Sequence, residues 1–270
     1  MHGLHGSSDD FVVSGPESGI AYLLARDGYD VWLGNARGTK HSQRHLHLKP
    51  SQNIFWDFSW HEIGYYDLPA IIDYSLNVTG RDKLKYIGHS QGTTSFWVMG
   101  SERSEYNDKV SLMIALAPSA FLQHNKSPFL SSTQFALRML SEFSSREDIR
   151  LYARKICGGG PLESFICSCM LCSMTGLNLK GLNVTNLPVY FSHTPSSCSL
   201  KQSLHYAQGI ISGKFSQYNY GLTGNTRRYG SREPPDYKLE NIKVPLFWFL
   251  ATWIGFVSVC LSVTSSRLNR

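Results

Sequence analysis

Cysteine is scarce, with six residues in a chain of 270, too few for a disulfide-built scaffold, and no two Cys or His pairs have the spacing of a structural zinc site. A basic run is also missing. The 26 Lys and Arg residues exceed the 20 Asp and Glu only modestly, and they are scattered rather than gathered or interleaved with aromatics, which argues against nucleic acid as a partner. Internal repeats and low-complexity tracts are absent, which excludes solenoid architectures. His2, Gly3 and Leu4 follow Met1 directly, without the charged and apolar regions of a secretory leader, so the expectation is a chain without a signal peptide. Residues 251–270 contain no Asp, Glu or His, so Glu240 is the last acid and His205 the last histidine.

What is present suits a globular fold. A 42% hydrophobic and 17% charged composition buries a full core, as one large domain or one domain with a cap. Residues 18–26 form an apolar-periodic helix that stops at Gly28, and 29–33 read as a buried strand leading into the tight loop Gly34, Asn35, Ala36, Arg37, Gly38. A helix is expected over 60–74, a strand over 83–87, a helix over 91–99 and a strand over 110–116. Strands separated by helices at this spacing pair in parallel, giving an α/β sheet with helices on both faces.

The rhythm then changes. Residues 1–119 are assigned to the first part of the core, 120–240 to a mostly helical cap or lid, 241–250 to a returning core strand and 251–270 to a divergent apolar tail. The cap includes an amphipathic stretch over 145–156 and a very apolar run from Phe165 to Met174. Residues 244–263 carry no charge, a length that spans a bilayer as a helix, although Pro245, Gly255 and many β-branched residues make it an irregular one. Lys243 before it and Arg267 and Arg270 after it select no orientation.

Gly88, His89, Ser90, Gln91 and Gly92 match the G-x-S-x-G elbow, which sets a serine on a sharp strand-to-helix turn. The strand-like run before it and the helix-like run after it are the context that motif requires. Glycines two positions either side of Ser90 avoid a clash as the turn folds back and permit unusual backbone angles. A serine hydroxyl is a weak nucleophile until a base takes its proton and donors stabilise the oxyanion. His2-Gly3 in an early loop offers a backbone N–H from the next residue, so the candidate oxyanion donors are Leu4 and Gln91.

His2-Gly3-Leu4, the run Gly28-Tyr29-Asp30-Val31-Trp32-Leu33-Gly34-Asn35-Ala36-Arg37-Gly38, the segment Tyr66-Asp67-Leu68-Pro69-Ala70 and Gly88-His89-Ser90-Gln91-Gly92 together resemble the acid lipase family of gastric and lysosomal type, the insect branch in particular. Ala115-Leu116-Ala117-Pro118, Tyr190-Phe191-Ser192-His193, Ser212-Gly213-Lys214-Phe215 and Val244-Pro245 extend the resemblance over nearly the whole chain. It implies an α/β-hydrolase core with a cap, Ser90 as nucleophile and hydrolysis of neutral-lipid esters at a lipid–water interface, with no metal or organic cofactor. It also implies a secreted or lysosomal setting and a Cys157–Cys167 disulfide in the cap.

The resemblance breaks near the ends. The fold places its triad acid after the strand that follows the cap, and its histidine later still, yet nothing after Pro245 supplies either. The chain reads as shortened at both ends, with no triad acid or base. His89, His193 and His205 are each expected to be surface or cap residues, with His193 the outside candidate for a base. Arg37 and Asp67 are expected to orient loops by ion pairing, and His41, Arg44, His45, His47 and Lys49 to lie on a solvated loop. Cys167, Cys169 and Cys172 invite a metal reading, but three sulfurs in an apolar run with no nearby His do not support one. Asn77, Asn125 and Asn183 begin N-glycan acceptor patterns, meaningful on a secretory route. Two classes of function stand open: an ester hydrolase, and a non-catalytic lipid-binding derivative or truncated product, tethered to a membrane by 244–263 in one variant.

Overall fold

The computed structural model describes residues 1–122 and 187–249. Among the described residues three strands, β1 (Leu84–His89), β2 (Val110–Leu116) and β3 (Leu246–Phe249), form a parallel sheet in that order. The crossover from β1 to β2 is helix α4 (Gln91–Glu102), whose residues from Gln91 to Ser101 are all buried. Such a helix holds the centre of the molecule, and its small residues Gly92, Ser95 and Gly100 permit close neighbours on several sides.

The helix expected over 60–74 is longer and composite. It opens as α2 (Trp60–Glu62), capped by Ser59, whose hydroxyl and backbone engage Glu62 in a capping box. It widens into a π-helical turn over Ile63–Asp67 and continues as α3 (Leu68–Thr79), which Gly80 ends in the left-handed conformation at φ 64°. Within this turn a side chain on Gly64 would meet the Ser95 carbonyl at 2.5 Å and the Val98 Cβ at 2.6 Å. The two helices therefore touch through bare backbone.

The first helix, α1, covers Ile20–Arg26. Within the expected cap lie α5 (Leu187–His193), α6 (Leu200–Ser212) and α7 (Gly221–Tyr229). Tyr206, Phe215 and Tyr237 join Trp60, Phe96 and Trp97 in one buried cluster. This part of the expected cap is thus packed into the main core.

Two readings are corrected. Residues 29–33 form no strand, and Tyr29, Trp32 and Leu33 are exposed rather than buried. A parallel strand is buried by its neighbours, and this one has none among the described residues. The uncharged run from 244 begins as Val244, buried, and then β3 of the sheet, not as a helix. Among the described residues no helix is long and apolar enough to cross a membrane. Residues 250–270 lie outside the described residues, as do the stretches 145–156 and 165–174, the cysteines 157, 167, 169 and 172, and the acceptors Asn125 and Asn183. Asn77 is exposed on the last turn of α3.

Candidate active site

Ser90 sits between β1 and α4 with φ 50° and ψ −114°. A non-glycine residue rarely adopts these angles, at a cost of about 1–3 kcal/mol that the surroundings must over-determine. They do so through hydrogen bonds. The Ser90 nitrogen donates to the Leu116 carbonyl of β2 at 2.9 Å, and its carbonyl accepts from the Thr93 nitrogen at 2.9 Å and the Thr93 hydroxyl at 2.6 Å. The flanking glycines are needed for space. A side chain on Gly88 would meet the Gly92 carbonyl carbon at 2.9 Å, and one on Gly92 would meet the Met1 carbonyl oxygen at 2.3 Å. Neither glycine has positive φ, so the unusual angles expected of them belong to Ser90 alone.

The opening loop packs against this elbow. A side chain on Gly3 would lie 3.2 Å from the Ser90 Cβ and 3.2 Å from the His89 ring, so the backbone leading into Leu4 runs beside the serine. His2 fixes that loop from beneath. Its Nδ1 donates to the Gly3 carbonyl at 2.8 Å and its Nε2 accepts from the Ala36 nitrogen at 3.1 Å, which selects one neutral tautomer. Burial lowers its pKa to about 4, so the imidazole stays neutral. Leu4 itself is half-buried and packs on the main cluster. Gln91 is buried, and its Nε2 donates to Gln202 Oε1 of α6 at 2.6 Å, while Gln91 Oε1 has no partner.

No histidine or carboxylate among the described residues hydrogen-bonds the Ser90 hydroxyl. His89 is exposed. His205, expected at the surface or in a cap, is instead buried and stacked on Trp60 at 3.6 Å. Its Nε2 meets the Ser216 carbonyl at 2.9 Å and so carries the proton, leaving Nδ1 bare, and burial lowers its pKa to about 3. Glu240 is exposed on the short turn Leu239–Asn241.

His193 has a partner that the sequence did not reveal. Its Nδ1 lies 2.6 Å from Asp9 Oδ2, and the same carboxylate takes Lys40 at 2.5 Å and His41 at 2.7 Å. Burial alone would raise the Asp9 pKa, but hydrogen bonds from Lys40, His193 and His41 outweigh it and hold the carboxyl below its usual range. Asp9 and His193 are separated by 184 positions, and no local pattern signals such a pair. The cluster ties the opening loop to α5, helped by the Ser196 nitrogen donating to the His5 carbonyl at 2.6 Å. Arg37 and Asp67, each expected to find an ionic partner, find each other: Nε donates to Oδ1 at 2.7 Å and the Arg37 backbone nitrogen to Oδ2 at 2.9 Å. Among the described residues, no group of three or more His, Cys, Asp or Glu side chains converges as a metal site would.

Comparison with known proteins agrees with this geometry. The family described as alpha/beta hydrolase fold matches residues 1–155. Lipase 1 of Drosophila melanogaster is 44% identical over 93% of this chain and 58% of its own length. Lipase 3 of the same fly is 38% identical over 96% of this chain and 68% of its own length. Gastric triacylglycerol lipase of Rattus norvegicus is 34% identical over 94% of this chain and 65% of its own length. The chain thus spans roughly three-fifths to two-thirds of the curated relatives it matches.

Proposed function

The chain belongs to the alpha/beta hydrolase fold family, among the lipases, and from that premise we propose that it carries the nucleophile half of a lipase site, with Ser90 attacking carboxylic esters of neutral lipids. The observation that carries this reading is the strained, over-determined backbone of Ser90 beside the Gly3 loop.

In the proposed step the Ser90 oxygen bonds to the ester carbonyl carbon, and the backbone N–H groups of Leu4 and Gln91 receive the developing oxyanion. Collapse of that intermediate breaks the bond to the alcohol and leaves an acyl-serine, which water then hydrolyses. One such donor is worth roughly a hundredfold to a thousandfold in rate. The proton of Ser90 needs an acceptor, and among the described residues no histidine or carboxylate is placed against it, so in the proposed step solvent water takes that proton and returns one to the departing alkoxide. The expected consequence is slow turnover, since loss of the base costs on the order of a millionfold in kcat while binding and the oxyanion donors still act. The substrate is met at a lipid–water interface. The proposed setting is secreted or lysosomal, and the proposed step calls on no metal or organic cofactor.

A fluorophosphonate probe tests the nucleophile directly, because it leaves a covalent mark on a serine whose oxygen can attack, and without a base against Ser90 among the described residues the mark is expected to accumulate slowly and is read after long exposure to excess probe. Peptide mapping is expected to find the mark on Ser90 and none on the Ser90→Ala chain. A folded parent that stays unlabelled, or labels equally at another serine, overturns the assignment and leaves the non-catalytic lipid-binding reading in its place.

A further inference from the structure

The first turn of α4 is polar and yet buried, with Gln91, Thr93 and Thr94 all inside the molecule. Each of these side chains needs a partner there. The Thr93 hydroxyl donates to the Ser90 carbonyl at 2.6 Å and accepts from the Ser119 nitrogen at 2.9 Å. The Thr94 hydroxyl donates to the Ser119 carbonyl at 2.9 Å and accepts from the Tyr206 hydroxyl of α6 at 3.0 Å. Among the described residues the Gln91 amide is held at one end, by Gln202 Oε1 of α6, and its own Oε1 is bare.

The backbone of the turn divides in the same way. The Ser90 and Thr93 nitrogens are bound by the Leu116 and Ser90 carbonyls. Gln91 opens α4, so its nitrogen has no acceptor within the helix, and an oxyanion donor must keep that N–H open for the substrate. A donor that has to stay open cannot be steadied by a hydrogen bond of its own. Its restraint comes through its side chain, and the residue at the far end of that side chain is firmly seated. The Ser199 hydroxyl accepts from the Lys201 nitrogen at 3.1 Å and donates to the Trp56 carbonyl at 2.5 Å, anchoring the start of α6. One turn beyond Gln202, His205 is stacked on Trp60.

We infer that Gln202 is a positioning residue for the oxyanion hole: its side-chain oxygen ties Gln91 to α6 and so holds the Gln91 backbone N–H in the direction the oxyanion needs. The inference rests on the reading of Ser90 as nucleophile and Gln91 as donor. It gives α6, which lies within the expected cap, a part in aiming that donor. Without the Gln202 oxygen the buried Gln91 amide has no partner, and the turn that carries it shifts to find one. The loss falls on the attack step, where negative charge develops, and not on capture of the neutral ester.

The test follows inactivation by a fluorophosphonate and separates the limiting rate of labelling at Ser90 from the probe concentration that half-saturates it. Gln202→Met keeps the chain length and loses the oxygen, while Gln91→Met cuts the same bond from the other side. Gln202→Glu keeps an oxygen for Gln91 to donate to, and Tyr206→Phe removes the neighbouring bond to Thr94 alone. Both methionine variants and their double mutant are expected to label about tenfold or more slowly and to the same extent, because one shared bond is lost once. Half-saturation is expected to stay where it is in the parent. Gln202→Glu recovers most of the rate, and Tyr206→Phe labels like the parent even where its melting temperature falls. Folded methionine variants that label at the parent rate overturn the inference. So does Tyr206→Phe slowed as much as Gln202→Met, which would show that any loosening of α6 suffices. A parent left unlabelled at Ser90 overturns the nucleophile itself, and this inference with it.

Discussion

Three buried groups, His2, His205 and the Met1 amine, are held uncharged by desolvation, at about 4, about 3 and about 5 respectively. All three are bases with values depressed in the folded state, so the unfolded chain binds more protons as acid is added. Their contribution to stability is therefore present at neutral pH and is lost as pH falls through the unfolded values. Asp10 acts in the opposite sense, because burial raises its carboxyl to about 6 and folding then takes up a proton. Three groups outweigh one, and the net loss between pH 7 and pH 5 is on the order of 5 kcal/mol. Urea midpoints at the two values check this. A midpoint that is unchanged or higher at pH 5 would show that these groups are solvated. None of this was legible in the sequence, where His2 and His205 carry no sign of depth.

At the scale of elements, Gly64 and Gly80 separate two uses of glycine. Gly64 lets the π-helical turn touch Ser95 and Val98, while Gly80 ends α3 at φ 64° with nothing within 4 Å of an added side chain. Gly64→Ala is expected to cost about 1–3 kcal/mol by overpacking and to shift the α4 side of the elbow. Gly80→Ala carries only the left-handed backbone penalty of about 1–2 kcal/mol. Thermal unfolding of both variants orders them, and a Gly64→Ala protein as stable as the parent would contradict the packing account. The strand, turn and helix around Ser90 were readable because each is set by local pattern: apolar content before the turn, glycine spacing across it, helix formers after it. Residues 29–33 misled for the complementary reason. Their apolar content is that of a buried strand, but burial is conferred by a neighbouring strand, and composition does not report whether that neighbour is in place. The Asp9–His193 pair and the stacking of His205 on Trp60 were hidden likewise, since both join segments far apart in the chain.

For the whole molecule, the elbow, the opening loop and helices α4 and α6 form one connected body. Gln91 bonds Gln202, and the Tyr206 hydroxyl bonds Thr94 at 3.0 Å. The serine is thus held by the core, and among the described residues no histidine or carboxylate is placed against its hydroxyl. The most direct measurement is hydrolysis of a chromogenic short-chain ester by the parent chain and by Ser90→Ala under identical conditions. The account predicts slow turnover by the parent, well below that of a complete triad, and loss of that turnover to the level of buffer in the variant. Equal rates in the two folded proteins would contradict the assignment of Ser90, and parent turnover at full lipase speed would contradict the claim that the site lacks its base.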